Sequence, residues 1–270
     1  MFKMLVLDLD GTLVGNSGRI AETDKAAVRA AEDAGITVVL ASARPYAAVA
    51  GVLKELALAD PYVIAGSGAS VWRAAEDFKF FGHLMTPQQV KECAKFALRH
   101  GCDCLAVRED GSYYAQEFNA STSFYGDTFR MQGFLVDFER DDCNDCCKVM
   151  LFTPPDAEAV SSCMERMKRE LPECGVSKTW ANILEFYPSH EVSKERAMAR
   201  LASHLGIDMT ETVAIGDDLV DIGMIRSAGL GIAMANADEA VKAAADFVTR
   251  SNDEGGVAHV VFTRLLNRKP

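Results

Sequence analysis

The sequence predicts an α/β protein with a doubly wound parallel-sheet core of the Rossmann-like kind, interrupted by an inserted α+β domain. Short apolar runs alternate with helical stretches in residues 1–82, and the same alternation returns in residues 188–270. Residues 83–187 are less regular and contain all eight cysteines. Apolar runs separated by helices are typical of parallel sheets covered on both faces. We therefore predict a core domain of residues 1–82 and 188–270 and a cap domain of residues 83–187.

The core elements follow from apolar runs and helical periodicity, with Gly35 ending the first helix. In the first segment the pattern predicts strands over Lys3–Leu7, Ile36–Leu40 and Tyr62–Ala65 and helices over Thr23–Ala34 and Tyr46–Leu58. In the last segment it predicts helices over Lys194–Leu205, Asp221–Ser227 and Ala237–Ala245 and strands over Thr212–Ile215, Leu230–Ala233 and Phe247–Thr249.

The middle segment mixes strand and helix signals. Leu105–Val107 and Tyr113–Ala115 flank Asp110-Gly111, a strong hairpin signal. Val149–Phe152 and Ile183–Phe186 are further predicted strands, and Ala157–Glu170 is a predicted helix.

Composition restricts the class of protein. The chain has 270 residues, 49% hydrophobic and 25% charged, which is ordinary for a globular protein. Its 28 Lys+Arg against 39 Asp+Glu give a net charge of −11, which argues against a nucleic-acid partner but not against a small anion. No apolar run reaches the roughly 20 residues of a membrane helix, and the N-terminus enters a strand directly. We therefore expect a cytoplasmic protein without membrane contact.

Polar residues follow the predicted strands at the edge where parallel sheets bind ligands. They are Asp8 and Asp10 after the first strand, Ser42 and Arg44 after the second, Lys194 at a helix start, and Asp217 and Asp221 after a later strand. Carboxylates, a hydroxyl and an ammonium are the groups that a magnesium-assisted phosphoryl transfer needs.

The chemistry of each of these residues suits it to one step of phosphoryl transfer. Asp8 is ionised at neutral pH and able to attack phosphorus, giving an aspartyl-phosphate. Two anions must then meet, so Mg²⁺ held by Asp8 and Asp217 would neutralise charge. Asp10 lies two residues on, on the same face of an extended chain, and is suited to general acid/base catalysis. Ser42 and Lys194 are suited to holding phosphoryl oxygens.

Taken singly, these residues have structural explanations. An Asp-x-Asp pair is often a turn or capping device, Ser42 and Asp217-Asp218 are possible helix caps, and Lys194 is a possible solvated surface lysine. Their joint occurrence at strand and helix ends favours a site.

The same residues resemble the motifs of a known family. Asp8-Leu9-Asp10-Gly11-Thr12-Leu13, Ser42-Ala43-Arg44, Val192-Ser193-Lys194 and Gly216-Asp217-x-x-x-Asp221 are similar to the four motifs of the haloacid dehalogenase superfamily of phosphatases. Residues 231–237, 245–249 and 251–258 resemble its Cof-type branch, which has a class IIB cap.

The resemblance implies roles for individual residues. Asp8 would be the nucleophile and Asp10 the general acid/base, with Mg²⁺ held by Asp8, the Asp10 carbonyl and Asp217. Leu9 and Ala43 would lend backbone amides to the phosphate beside Ser42 and Lys194, while Asp221 and Arg44 would orient the groups around them. The sequence departs from the family at Val220 and Ser67, where Asn is usual, and at Glu195, where Gly is usual.

The cap must lie in the longer gap between motifs, because about 30 residues separate Asp10 from Ser42 and about 150 separate Ser42 from Lys194. A cap that closes over the site would contact the leaving group and select the substrate. The contact residues predicted are Asn182, Glu185 and Tyr187, for which sheet or hinge roles are the alternative.

The cysteines lie only in the predicted cap. Cys102-x-Cys104 and Cys143-x-x-Cys146-Cys147 contain spacings found in zinc sites and redox pairs. No histidine or second C-x-x-C completes a tetrad, and cytosolic thiols stay reduced. We expect reduced, metal-free thiols.

Together these observations predict a Mg²⁺-dependent phosphomonoester hydrolase that acts through an aspartyl-phosphate on a small phosphorylated metabolite, such as a sugar phosphate. A phosphotransferase or mutase with the same phosphoenzyme is one alternative. A non-catalytic sensor of a phosphorylated ligand is the other alternative, because Val220 stands where the family usually has Asn.

Overall fold

The computed structural model describes residues 1–267, apart from the side chain of Trp180, and divides into two compact units. The core unit combines Met1–Ala43, Val49–Phe81 and the segment that begins at Ser193. The inserted unit combines Gly82–Val192 with Arg44–Ala48. Among the described residues, no helix has the length and apolar character that crossing a bilayer requires.

The first core segment contains five strands and two helices. These are β1 (Met4–Asp8), α1 (Glu22–Asp33), β2 (Thr37–Ala41), α2 (Tyr46–Leu56), β3 (Tyr62–Ala65), β4 (Ser70–Arg73) and β5 (Phe78–Gly82). The predicted strand over Tyr62–Ala65 is confirmed to the residue, and the other predicted elements are present with ends shifted by one or two residues.

The inserted unit contributes six strands and three helices. These are α3 (Pro87–Arg99), β6 (Asp103–Arg108), β7 (Ser112–Ala115), α4 (Ala120–Phe129), β8 (Gln132–Leu135), β9 (Cys146–Phe152), α5 (Ala157–Glu170), β10 (Gly175–Trp180) and β11 (Ile183–Tyr187). The predicted hairpin is confirmed, since β6 and β7 pair antiparallel with Val107 opposite Tyr113.

The last core segment returns to alternating helices and strands. These are α6 (Lys194–Leu205), β12 (Thr212–Gly216), α7 (Ile222–Ser227), β13 (Leu230–Ala233), α8 (Glu239–Lys242), β14 (Phe247–Val248) and α9 (Gly256–Val260). The predicted helix over Ala237–Ala245 is shorter in the structure. Asp246 binds the backbone of Gly231 through both its amide and its carboxylate, so the chain must leave the helix to reach β13.

The core sheet has the strand order β14-β13-β12-β1-β2-β3-β4-β5. Neighbouring strands are parallel from β14 through β3, and β4 pairs antiparallel with β3. Asp8 at the end of β1 is in register with Ala41 of β2, and Leu7 is in register with Ile215 of β12. The carboxyl ends of these three strands therefore lie side by side, and so do the residues that follow them.

Both faces of the core sheet are covered. On one face, Met4 and Val6 of β1 share a buried cluster with Met198 of α6. Leu5 and Leu7 alternate with them, so they point to the other face, and they are equally buried. Helix α1 packs against β2 and α9. The predicted doubly wound α/β class is confirmed.

The inserted unit has its own sheet, in the order β10-β11-β9-β6-β7-β8. Its pairings are antiparallel except between β7 and β8. Helices α3 and α5 pack on one face, where Phe96, Leu184 and Phe186 belong to one apolar cluster. The inserted unit is therefore α+β with a core of its own.

Seven of the strands and helices named above were not predicted from the sequence: strands β4, β5, β8 and β10 and helices α3, α4 and α9. Helix α3 had a local signal, because Thr86 and Gln89 form a reciprocal capping box and Pro87 occupies the first turn. Asn119 caps α4 in the same way, with Thr122 as its partner. Start signals of this type identify a helix even where its apolar periodicity is weak.

Candidate active site

The chain turns sharply after β1 and leaves two aspartates in different environments. Asp8 is 5% exposed at the strand end, whereas Asp10 is exposed. The turn is held by the amides of Thr12 and Val14, which donate to the carbonyl of Leu9. Gly11 has a φ of +92°, and a Cβ there would lie 2.1 Å from Oδ2 of Asp217. Only glycine allows the loop to pass this close to Asp217.

Lys194 lies at the start of α6 and points into the core. Ser193 caps the helix by accepting a hydrogen bond from the amide of Arg196. The Lys194 ammonium is 2% exposed and donates to Oδ1 of Asp8 at 2.5 Å and to Oδ1 of Asp221 at 2.7 Å. A lysine so placed is a fixed buried cation between two carboxylates, not a solvated surface residue.

The loop after β12 brings Asp217 and Asp221 to the same place. Asp217 accepts a hydrogen bond from the hydroxyl of Thr12 at 2.8 Å. Oδ2 of Asp221 accepts from the backbone amides of Asp217 and Asp218, both at 3.1 Å, while its Oδ1 accepts from Lys194. Both oxygens of Asp221 are therefore used within the protein, where they fix the loop.

One oxygen from each of Asp8, Asp217 and Asp221 lies within 4.8 Å of the other two. With Lys194 as counterion, three ionised carboxylates leave a net charge of −2 in a largely buried space. Oδ2 of Asp8 is buried and has no hydrogen-bond partner among the described residues. Buried charge without a partner is costly, and oxygen ligands suit a hard divalent cation. These residues fit Mg²⁺.

Burial and the neighbouring charges shift the pKa values of Asp8, Asp217 and Lys194. Burial raises the pKa of Asp8 well above its usual value; Lys194 opposes the rise, and Asp221 and Asp217 add to it. Burial also raises the pKa of Asp217 to about 6, with the Thr12 hydroxyl acting in the opposite direction. For Lys194, burial alone would lower the pKa, but Asp221 and Asp8 outweigh it and raise it. Without a metal, burial and crowding therefore disfavour the ionised forms of Asp8 and Asp217.

The predicted phosphate contacts lie at the same sheet edge. Ser42 directly follows β2 and is buried; its amide donates to Ile64 and its carbonyl accepts from the amide of Ser67. Ala43, the next residue, is half-buried, and Leu9 follows Asp8 in the turn. Arg44 is grouped with the inserted unit, where its guanidinium lies 5.3 Å from the centre of the Phe129 ring.

A family model described as haloacid dehalogenase-like hydrolase matches residues 5–261. The chain belongs to the haloacid dehalogenase-like hydrolases. The predicted family is therefore confirmed, and the relatives named as phosphatases in the next paragraph confirm the predicted class of enzyme, a phosphatase.

Relatives of this hydrolase match it along nearly its whole length. It is 29% identical to the phosphatase YwpJ of Bacillus subtilis, with 96% of this chain and 98% of YwpJ covered. It is 26% identical to the 5-amino-6-(5-phospho-D-ribitylamino)uracil phosphatase YcsE of the same organism, with coverages of 96% and 94%. The crystal structure of a haloacid dehalogenase-like hydrolase from Bacteroides thetaiotaomicron superposes with a TM-score of 0.86, at 25% identity and coverages of 97% and 98%.

Two asparagines to which sequence reasoning gave no role hold the turn after β1 in this hydrolase. Asn236 donates to the carbonyl of Gly11 at 2.8 Å and accepts from the amide of Asn252 at 3.0 Å. Asn252 donates to the carbonyl of Val14 at 3.4 Å. Both residues lie in segments of the sequence that resemble the family, and this resemblance was the signal that could have identified them. They tie the turn after β1 to the last core segment.

The three departures from the family pattern have different surroundings. Ser67 is buried with a φ of +58° in the turn after β3. Its neighbour Gly68 is so close to Ser193 that a Cβ would lie 2.3 Å from the Ser193 carbonyl oxygen. Glu195 accepts a hydrogen bond from Ser227 at 2.9 Å and so links α6 to α7. Val220 is half-buried and adds no polar group to the Asp217–Asp221 loop.

The predicted leaving-group residues lie in the inserted unit. Glu185 is 0% exposed, accepts from Lys148 at 2.5 Å, and also accepts from the hydroxyl of Tyr187. The Asn182 side chain donates to the carbonyl of Thr153 at 2.8 Å. The structure thus places Glu185 and Tyr187 together in one buried network and Asn182 at the end of a strand pair. Their contact with a leaving group stays a prediction.

Removing the Glu185 charge is expected to destabilise the protein. Lys148 is 1% exposed, and its ammonium also lies 5.9 Å from the centre of the Tyr125 ring. Glu185→Gln leaves this buried cation without its counterion, which typically costs about 3–5 kcal/mol. We expect a loss of that size in the free energy of unfolding, measured in urea.

An exposed ion pair of the same unit provides the control. Lys168 and Glu165 lie 2.9 Å apart on α5 with 46% and 74% of their side chains exposed, so Glu165→Gln should change stability by less than about 1 kcal/mol. The double variant Lys148→Met/Glu185→Gln should regain part of the loss, because no buried charge is then unpaired. Equal losses for Glu185→Gln and Glu165→Gln would contradict the prediction.

Proposed function

We propose that this chain is a Mg²⁺-dependent phosphomonoester hydrolase that acts on a small phosphorylated metabolite through an aspartyl-phosphate. The observation that carries the proposal is how the two carboxylate oxygens of Asp8 are held. Lys194 fixes one of its carboxylate oxygens, while the other is buried and unpartnered beside Asp217. A carboxylate held this way at the carboxyl end of a parallel strand is oriented for attack on a bound phosphoryl group.

The residues that would hold Mg²⁺ are Asp8, Asp217 and the backbone carbonyl of Asp10. Asp221 has both oxygens bonded to Lys194 and to backbone amides, which supports an orienting role for it. When bound, Mg²⁺ neutralises the charge that a carboxylate and a phosphate bring together.

The proposed reaction has two steps. In the first, Asp8 forms a bond to phosphorus and the ester P–O bond breaks, while Asp10 gives a proton to the leaving oxygen. In the second, Asp10 takes a proton from water as the water attacks phosphorus and releases Asp8. The exposure of Asp10 supports this role, because a general acid/base must reach both the leaving group and water.

The transferred phosphoryl group carries negative charge that fixed donors stabilise. Lys194 is the strongest of these donors, because the ion pairs with Asp8 and Asp221 hold it in place before substrate binds. Ser42 and the amides of Leu9 and Ala43 follow the ends of β1 and β2 at the same edge, which supports their role as further donors.

The relative YcsE supports the proposed substrate class. Its substrate is a phosphomonoester at the end of a short polyol chain on a small soluble molecule. By analogy, we propose a sugar-phosphate-like or polyol-phosphate substrate for this hydrolase.

The test is release of inorganic phosphate from an aryl phosphate and from a panel of sugar and polyol phosphates, with and without Mg²⁺. Isotopically labelled water should label the released phosphate. Transfer of the phosphoryl group to a hydroxyl would leave the label in water and reveal a phosphotransferase or mutase. Tight binding of a phosphorylated ligand without turnover would support the sensor alternative and overturn the proposal.

Metal binding is expected to weaken below about pH 6. The pKa of Asp217 is about 6 without metal, so a proton occupies this ligand below that pH and competes with the cation. For each competing proton, the dissociation constant of Mg²⁺ rises about tenfold per pH unit below the pKa of the ligand that binds it, and the raised pKa of Asp8 adds to the loss caused by Asp217. Titration calorimetry of the substrate-free enzyme between about pH 5 and pH 8 measures this dissociation constant. Chelation should abolish activity, and added Mg²⁺ should restore it.

The variant Thr12→Val tests the role of Asp217 in this pH dependence. The Thr12 hydroxyl lowers the pKa of Asp217, so its removal should move the pH midpoint of Mg²⁺ binding upward. Asp33→Asn, which neutralises an exposed carboxylate at the end of α1, should leave the midpoint unchanged. A Mg²⁺ affinity that does not change between about pH 5 and pH 7 would contradict the assignment of Asp217 as a ligand.

A further inference from the structure

The inserted unit contains a partly open cavity of about 210 Å³ that belongs to none of the groups described above. Two cysteines and two basic side chains are among its lining residues: Cys102, Cys163, His100 and Arg166. Cys102 lies between α3 and β6, and Cys163 lies in the middle of α5. The fold thus brings together two thiols that are 61 residues apart.

The two thiols line the same cavity and have a small opening to solvent. Cys102 is 7% exposed and Cys163 is 8% exposed. Each thiol shifts the pKa of the other, and the Cys102 thiol donates to the carbonyl oxygen of His100 at 3.8 Å. A disulfide requires the two sulfurs to approach to about 2.05 Å, and two thiols that line one cavity of this size are placed to do so.

The charges around the pair favour a thiolate on Cys163. Arg166 follows Cys163 by three residues on α5, so both lie on the same helix face. The hydrogen bond from Cys102 and then the charge of Arg166 lower the pKa of Cys163, while burial and Glu170 oppose them. His100 lies 3.3 Å from both Arg166 and Glu170 and completes the polar rim. A partly exposed thiol beside a cation is the reactive type.

The other cysteines differ from this pair in their pKa or in their access to solvent. Burial raises the pKa of Cys104 and of Cys147 to about 12 and that of Cys143 to about 11. Cys93 and Cys174 are a second interacting pair, in which Cys93 lowers the pKa of Cys174, but both are 0% exposed and neither lines the cavity. The Cys93–Cys174 pair is therefore a built-in control for the effect of access.

We propose that Cys102 and Cys163 form a peroxide-sensitive dithiol that closes to a disulfide on the inserted unit. The Cys163 thiolate attacks one oxygen of hydrogen peroxide, the O–O bond breaks, and the sulfur is oxidised to a sulfenic acid. The other oxygen leaves as hydroxide and becomes water by taking up the proton that the Cys163 thiol released on ionising. Cys102 then attacks this sulfur, the S–O bond breaks, and its proton leaves with the hydroxyl as a second water. Two thiols and one peroxide give one disulfide and two waters.

The test treats the native, reduced full-length protein with a small excess of hydrogen peroxide and follows free thiols and linked peptides by mass spectrometry. The expected result is a loss of two thiols per chain and a single cross-link between Cys102 and Cys163. A cross-link between Cys93 and Cys174 alone, or slow and equal oxidation of all the thiols, would overturn the proposal.

Variants assign the order of events. Cys102→Ser should stop the reaction at a sulfenic acid on Cys163 that a sulfenic-acid-specific reagent traps, and Cys163→Ser should leave Cys102 unmodified. Arg166→Gln should slow oxidation several-fold, whereas Arg169→Gln should not, because Arg169 lies on the same helix outside the cavity. Equal rates for these two arginine variants would show that the cavity charge plays no part. None of these readouts depends on phosphatase activity, so the result is independent of the proposed function.

Discussion

Asp8→Asn is expected to lower the rate of aryl phosphate hydrolysis by at least about a thousandfold, because an amide is not a nucleophile toward phosphorus. The substitution is nearly isosteric, and Asp221 still pairs with Lys194 at 2.7 Å. Steady-state phosphate release at saturating Mg²⁺ measures the loss.

The fold should survive this change. Burial raises the pKa of Asp8, which means that the folded state disfavours its ionised form. A neutral amide removes one of three crowded carboxylates, so the free energy of unfolding is not expected to fall by more than about 1 kcal/mol. Asp33→Asn makes the same chemical change at an exposed position of the core unit and should leave activity unaltered. A fully active Asp8→Asn protein would remove Asp8 as the nucleophile.

Lys194→Met is expected to abolish activity and to destabilise the protein together. Methionine has a similar length but no charge, so Asp8 and Asp221 lose their shared counterion inside the core. Breaking a buried ion pair on one side typically costs about 3–5 kcal/mol. That is a large share of a typical folding free energy of about 5–15 kcal/mol. Urea unfolding in metal-free buffer measures it.

The pH dependence of this loss has a definite sign. Lys194 opposes the rise in the pKa of Asp8, so its removal raises that pKa further. A carboxyl group with a raised folded pKa binds its proton more readily in the folded state, and the folded state gains stability as pH falls through that value. The deficit of Lys194→Met should therefore shrink as the pH is lowered from neutrality. A deficit that grows on acidification would contradict the assigned network.

Lys25 provides a matched control lysine in the same unit. Its ammonium pairs with Glu22 at 2.6 Å and Glu55 at 2.9 Å, and its own side chain is 11% exposed. Both of its partners are open to water, with 86% and 38% of their side chains exposed, so their charges remain solvated after Lys25→Met. We expect full activity and a stability change below about 1 kcal/mol. Equal effects at Lys25 and Lys194 would show that the buried network has no special role.

The core elements were predictable because each is encoded locally. The strand over Tyr62–Ala65 and the helix over Lys194–Leu205 were predicted to the residue, since a short apolar run between turn residues and a capped periodic helix need no distant contacts for their definition. The order of β1, β2 and β12 in a parallel sheet then brings Asp8, Ser42 and Asp217 to one edge without further information.

Partnerships between distant residues were not predictable. The spacing of Cys102 and Cys104 suggested a pair close in sequence, but Cys102 shares a cavity with Cys163 instead. Cys102 and Cys104 both lie at the start of β6. Helix α5 packs against the same sheet and places Cys163 at the cavity. The Lys148–Glu185 pair likewise exists only because β9 and β11 are neighbours in the sheet.

The fold class, the family and the set of residues at the strand ends could all be predicted from the chain alone, because they depend on local patterns and short motifs. How the charges are shared depends on tertiary packing, which sets which oxygen of Asp8 is held by Lys194, why both oxygens of Asp221 are already bonded, and which thiols line the same cavity. Burial and distance set these interactions, and both depend on how elements far apart in the chain pack together.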